Sequence, residues 1–194
     1  MKIGLYFGSF NPIHIGHLAI ANYIVEFTEL EKIWFIVSPQ NPFKAQSNLL
    51  KDHQRLELIN IAIKDFPKFY ASNIEFSMPK PSYTIDTLIR LEEKYPQHEF
   101  NLILGADNLL TIHKWKNFEQ IINNYTIYVV PRNGYDITKL DNINLDKIKI
   151  TPVPLMEISS SFIRESLKNG HNLRFFLPND VYEYITYMNF YKKN

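Results

Sequence analysis

His14 and His17 stand three residues apart in the segment Gly8-Ser9-Phe10-Asn11-Pro12-Ile13-His14-Ile15-Gly16-His17-Leu18, with Ser9, Gly8 and Gly16 beside them. Several kinds of chemistry fit such a pair. Side chains three apart share a helix face and can ligate one metal ion. One ring can serve as a general acid or base. Ring N–H groups beside a helix start can also grip a phosphate. The bland alternative is that both rings are incidental, one exposed and one packed. The glycines favour the phosphate grip, because a residue without Cβ lets backbone approach a ligand closely. A zinc site needs further ligands, and His53, His98, His113 and His171 lie in scattered contexts. The Gly-Lys-Ser/Thr of a Walker loop is missing.

The elements around this segment must place it at a strand end. Ile3 to Phe7 reads as a buried strand, and Leu18 to Val25 as a helix. Further strands are expected at Ile33–Val37, Tyr70–Phe76, Leu102–Leu104, Thr126–Val130 and Ile148–Val153. Helical periodicity covers His53–Phe66, Thr84–Lys94, Phe118–Ile122, Phe162–Lys168 and Val181–Met188. Strands alternating with helices predict an α/β fold: a Rossmann-like, doubly wound parallel sheet with helices on both faces. Runs that are apolar throughout suit strands covered on both faces. Asn41 to Asp52 reads as a loop, and Asn133 to Lys147 as a polar surface excursion. Neither resembles a linker, so residues 1–194 are expected to form a single domain, with a C-terminal helical segment at about 159–194 packed on it.

Composition narrows the partners. The chain has 194 residues, 45% of them hydrophobic, a formal net charge of +1 and no cysteine. Disulfides, thiolate metal sites and cysteine nucleophiles are excluded. A balanced charge gives no argument for a nucleic-acid or membrane surface. No signal peptide or membrane-spanning run is seen, so a cytoplasmic location is the default expectation.

Three other places carry chemistry. Ile158-Ser159-Ser160-Ser161-Phe162-Ile163-Arg164 puts hydroxyls at a helix start. One serine suffices as an N-cap, and three exceed that need. Arg164 one turn inside has the planar fork that suits phosphate oxygens, although an exposed arginine pairing with Glu157 or Glu165 is the simpler role. Gly105-Ala106-Asp107 follows a strand, where a carboxylate can accept from ribose hydroxyls or cap a helix beginning at Asn108. Trp115 lies in a polar surround, His113-Lys114-Trp115-Lys116-Asn117, unlike Trp34 inside an apolar strand. Its face can stack on a flat ring. Thr84 fits the N-cap of its helix.

Taken in order, these motifs resemble the nucleotidyltransferase superfamily with the T/H-x-G-H signature. They are most similar to the bacterial nicotinate-nucleotide adenylyltransferases. Ser38-Pro39-Gln40-Asn41-Pro42-Phe43-Lys44 and Pro81-Ser82-Tyr83-Thr84 complete the set. The resemblance implies adenylyl transfer from ATP to nicotinate mononucleotide, with Mg²⁺ carried by ATP and no dedicated protein metal site. It implies His17, His14 and Arg164 as catalytic groups. Gly8, Ser9, Phe10, Gly105, Asp107, Arg132 and Ser159, Ser160 and Ser161 would complete the ATP site. Lys44, Tyr83, Thr84 and Trp115 would bind the mononucleotide, with Lys44 on its phosphate and Trp115 under its ring. Arg132 can equally be a solvated loop charge. Phe43 departs from the family's Pro-Pro-His-Lys pattern and leaves that phosphate contact to Lys44. Enzymes of the same fold acting on nicotinamide mononucleotide or phosphopantetheine are the alternatives.

Overall fold

Four runs buried nearly throughout form the middle of one parallel sheet covered on both faces, and two short, partly exposed strands flank them. The protein is described by a computed structural model covering residues 1–39, 49–135 and 145–192. The strands are β1 (Lys2–Gly8), β2 (Lys32–Val37), β3 (Phe69–Ser72), β4 (Glu99–Gly105), β5 (Ile127–Val130) and β6 (Ile148–Ile150). Their order across the sheet is β3-β2-β1-β4-β5-β6. β1 pairs with β2 on one side (Gly8 opposite Val37) and with β4 on the other (Tyr6 opposite Ile103). The winding therefore reverses between β1 and β4, and the loops leaving their carboxyl ends part to form a crevice.

The helices are α1 (Ile15–Phe27), α2 (Asp52–Ile63), α3 (Thr84–Lys94), α4 (Ala106–Leu110), α5 (Phe118–Asn124), α6 (Ser160–Lys168) and α7 (Asn179–Tyr187). Alternate strand residues serve opposite faces. Tyr6, Phe35, Ile103 and Tyr128 pack against Ile24 of α1, Ile59 of α2, Ile163 of α6 and Val181 of α7. Leu5, Trp34, Leu102 and Val129 pack against Leu88 of α3, Leu109 of α4 and Ile121 of α5. The segment from Ser159 onward thus shares its core with α1 and α2. Among the described residues no helix is long and apolar enough to cross a membrane.

Several boundaries differ from the sequence reading. The strand expected over Tyr70–Phe76 stops at Ser72, and Ile74–Ser77 coils into a 3₁₀ turn that buries Glu75. β6 ends at Ile150, not Val153. Thr151 still bonds Val129 O through its N–H (3.0 Å), but Pro152 has no N–H to continue the ladder. α1 begins three residues before the periodic run and α6 two before it, so both helix starts lie inside the polar motifs. Residues 136–144 of the expected surface excursion, and 41–48 of the expected loop, lie outside the described residues.

Candidate active site

The turn after β1 is built around one buried ring. Phe10 adopts a left-handed backbone (φ 44°) and is only 1% exposed. It packs edge-on against Tyr6, Phe35 and His17. A Cβ on Gly8 would come within 2.8 Å of that ring, and one on Gly16 within 3.1 Å of the His14 ring. Both glycines therefore make room for the motif's own rings, a second reason for them that spacing alone does not give. His14 is the N-cap of α1, and its ring stacks on His17 at 3.7 Å between centroids.

His17 Nδ1 accepts the His14 backbone N–H at 3.3 Å. A neutral His17 ring so held carries its proton on Nε2, as a donor. His14 is 3% exposed and its Nδ1 has no hydrogen-bond partner. Burial, and secondarily the Arg132 charge, push its pKa down to about 4, so it is neutral at pH 7. Between about pH 6.5 and 4 the unfolded chain binds a proton there that the folded chain refuses, so stability should fall as pH falls through that window, by up to about 3 kcal/mol. Urea midpoints at pH 7 and pH 4.5 check this. A His14→Asn variant should show a visibly shallower slope, and an equal slope would mean His14 does not carry it.

Arg55 is the residue that sequence reasoning missed. It lies on α2 and is fully buried. Its guanidinium donates to Ser9 O in the turn, Ser38 O (3.0 Å) at the end of β2, Leu50 O (3.1 Å) and Asp52 Oδ1 (2.8 Å). Asn11 adds a second tie. Its Oδ1 accepts from Leu50 N (3.2 Å) and the Tyr191 hydroxyl (2.7 Å), and its carbonyl accepts from Arg164 (2.8 Å). The only sequence signal for Arg55 was an arginine in a helix, which usually means solvent.

The three serines divide their work. Ser159 is the N-cap of α6, accepting from Phe162 N at 3.2 Å. Ser160 Oγ donates to Pro12 O at 2.9 Å, joining α6 to the first turn. Ser161 Oγ accepts from Arg164 at 3.2 Å. Arg164 faces that turn and forms no ion pair with Glu157 or Glu165 in the structure. Two helix starts, α1 and α6, thereby meet at one cavity, each with backbone N–H groups and a positive dipole end.

That cavity is about 390 Å³ and is lined by Gly8, Ser9, Phe10, His14, His17, Gly105, Asp107, Arg132, Ser159, Ser160, Ser161 and Arg164, together with neighbours from β1 and β5. Every ATP-side residue of the sequence reading is therefore brought to one place. Asp107 is not the cap of α4; Gly105 is, with Asp107 in the first turn. Asp107 Oδ1 has no hydrogen-bond partner, and Arg132 Nε stands 3.9 Å away, beyond hydrogen-bond reach. A Cβ on Gly105 would collide with that oxygen.

A second cavity of about 120 Å³ adjoins the first, sharing Phe7, Gly8, Ser38 and Asn108 as walls. Tyr83, Thr84 and Trp115 line it. Thr84 is the first residue of α3 and Tyr83 its N-cap, so the cap expected at Thr84 lies one residue earlier. Lys116 joins the two sides: its ammonium lies 5.0 Å from the Tyr83 ring centroid and bonds Asp86 at 2.9 Å. Lys44 lies outside the described residues. Among those residues no three His, Asp or Glu side chains gather as a metal cage.

A parallel sheet with a His-x-Gly-His helix start at its switch point, faced by a Ser-Arg helix start, defines a nucleotidyltransferase. The cytidylyltransferase-like family model matches residues 5–166. Relatives narrow this further. A Flavobacterium psychrophilum protein named "probable nicotinate-nucleotide adenylyltransferase" is 53% identical over the whole of both chains. One of the same name from Bacteroides fragilis is 47% identical over 95% of this chain and 90% of its own, and one from Porphyromonas gingivalis is 43% identical over 92% and 90%. The chain belongs to the nicotinate-nucleotide adenylyltransferase family. The fold is shared with the Plasmodium falciparum nicotinic acid mononucleotide adenylyltransferase complexed with NaAD (TM-score 0.80, 23% identity, 98% of this chain and 97% of that one).

Proposed function

We propose that this protein transfers the adenylyl group of ATP to nicotinate mononucleotide, forming nicotinate adenine dinucleotide and pyrophosphate in NAD synthesis. The observation that carries this reading is the pair of adjoining cavities with a common wall at Phe7, Gly8, Ser38 and Asn108. One holds cationic and N–H donors suited to a triphosphate; the other holds an aromatic face and a helix start suited to a ring bearing a carboxylate. Full-length relatives of the same family name support the assignment.

In this reading an oxygen of the mononucleotide's phosphate attacks the α-phosphorus of ATP in line. The bond from that phosphorus to the β-bridging oxygen breaks, and pyrophosphate leaves with the electron pair. No side-chain nucleophile is needed, so catalysis is positioning plus stabilisation of charge on phosphate oxygens. His17 donates through Nε2 to the α-phosphate, with neutral His14 stacked beneath it. Ser9, the backbone at Gly8 and Phe10, and the α1 start hold the triphosphate. Ser159, Ser160, Ser161 and Arg164 hold the β- and γ-phosphates. Gly105 leaves room for Asp107, whose free oxygen accepts from the adenosine ribose, and Arg132 lies on the ATP side. Trp115 stacks on the nicotinate ring, Tyr83 and Thr84 receive its carboxylate, and Lys44 meets the mononucleotide phosphate. Mg²⁺ would be held by the ATP phosphates and would supply charge neutralisation there, with no ligand from the described side chains.

The test is pyrophosphate release by the purified protein with ATP and Mg²⁺, using nicotinate mononucleotide, nicotinamide mononucleotide and phosphopantetheine in parallel. Nicotinate mononucleotide should be the best substrate. Release with phosphopantetheine alone would reject the reading, and faster release with the amide would reverse its substrate preference.

A further inference from the structure

A buried carboxylate lines the second cavity beside Ser82 and has no part in the scheme above. Glu75 sits in the 3₁₀ turn Ile74–Ser77 and is 2% exposed. It gains hydroxyl donors where most buried carboxylates gain a cation. Ser82 Oγ donates to Oε2 at 2.7 Å and Thr87 Oγ1 to Oε1 at 2.8 Å. These two donors come from separate segments, the approach to α3 and its first turn. Between Ser82 and Thr87 lie Tyr83 and Thr84. The first N–H groups of α3 have no partner within the helix, and their direction depends on how this approach is seated.

We propose that Glu75 is a positioning residue for the second substrate: by holding Ser82 and Thr87 it aims the start of α3 into the ring pocket without itself touching substrate. The proposal rests on the two-cavity reading above. It requires an acceptor with two oxygens, since Ser82 and Thr87 each occupy a different one. Glutamine keeps the shape but has one acceptor oxygen, so one hydroxyl must reorient or lose its partner. If Glu75 acted instead through its negative charge on an anionic substrate, glutamine would relieve repulsion and tighten binding. The two roles thus give opposite signs.

The experiment compares Glu75→Gln, Glu75→Ala and Ser82→Ala with the unaltered enzyme, varying ATP and the second substrate separately. The second substrate is whichever one the unaltered enzyme turns over in the panel above. Glu75→Gln should raise KM for that substrate about tenfold and Glu75→Ala still more, with kcat and KM for ATP nearly unchanged, as expected when a buried hydroxyl loses its acceptor. Ser82→Ala, at a partly exposed position that buries no charge, should raise the same KM alone. Combining it with Glu75→Gln should add little, because both remove one interaction. An unchanged or lowered KM for the second substrate in Glu75→Gln, or an equal rise in both KM values, overturns the proposal. Should Glu75→Ala fail to fold, the glutamine and Ser82 variants still decide it. Failure of nicotinate mononucleotide as substrate would overturn the functional reading while leaving the Glu75 comparison intact.

Discussion

His17→Ala should lower kcat by about 10²–10³-fold, the usual cost of removing one preorganised donor from a developing anion. The geometry makes this ring the donor to remove. Its Nδ1 is engaged by the His14 backbone N–H at 3.3 Å, which leaves Nε2 to carry the proton. Its plane is fixed by stacking on His14 at 3.7 Å and by the edge of Phe10 at 5.1 Å. A donor held in this way needs no reorganisation when charge grows on the α-phosphate. The same substitution removes a capping interaction from α1, so a stability loss of about 1 kcal/mol should accompany it. That is too small to unfold an ordinary domain. Single-turnover rates at saturating ATP, with a urea melt on the same sample, separate the two effects. A kcat within tenfold of the unaltered enzyme would remove His17 from the role assigned to it.

Arg55→Met should cost about 3–5 kcal/mol of unfolding free energy, a large part of what a domain of this size possesses. Methionine fills similar volume, so the loss isolates the polar contacts. Three carbonyls, at Ser9, Ser38 and Leu50, lose the guanidinium donor. Asp52 loses its buried partner and, among the described residues, keeps Lys80 at 3.2 Å. Each acceptor left buried without a donor costs about 1–3 kcal/mol. Arg55→Lys should recover less than half, because a single ammonium cannot reach three diverging carbonyls. Urea unfolding with unchanged m-values measures this. A loss below about 1 kcal/mol for methionine would show that water or a rearranged turn replaces the guanidinium.

Sequence and tertiary structure divide the labour according to distance along the chain. The strand cores, α3 from Thr84 to Lys94, and the two polar helix starts were legible because each depends on neighbours within a few residues. Periodicity marks a buried face, and a hydroxyl or glycine marks a turn. The polar groups of the larger cavity were legible for the same reason: Gly8 to His17 and Ser159 to Arg164 each carry their donors in one contiguous stretch. What failed locally failed where a distant partner overrode propensity. The run Tyr70–Phe76 looked like one strand, but its second half coils to bury Glu75 against Ser82 and Thr87.

The sequence by itself therefore determined the kind of fold and the kinds of groups available: a doubly wound sheet, two helix starts rich in phosphate donors, and an aromatic side chain in a polar surround. Only the tertiary structure decided that β4 lies beside β1, which sets Asp107 across the crevice from His17, and that α6 returns to face the first turn through Ser160 and Arg164. It alone revealed Arg55 as the tie beneath that turn and showed that Gly8 and Gly16 make room for Phe10 and His14. The physical reason is that a hydrogen bond between residues 9 and 55, or 11 and 164, leaves no trace in local spacing. It exists only after the sheet order and the helix packing have brought those segments together.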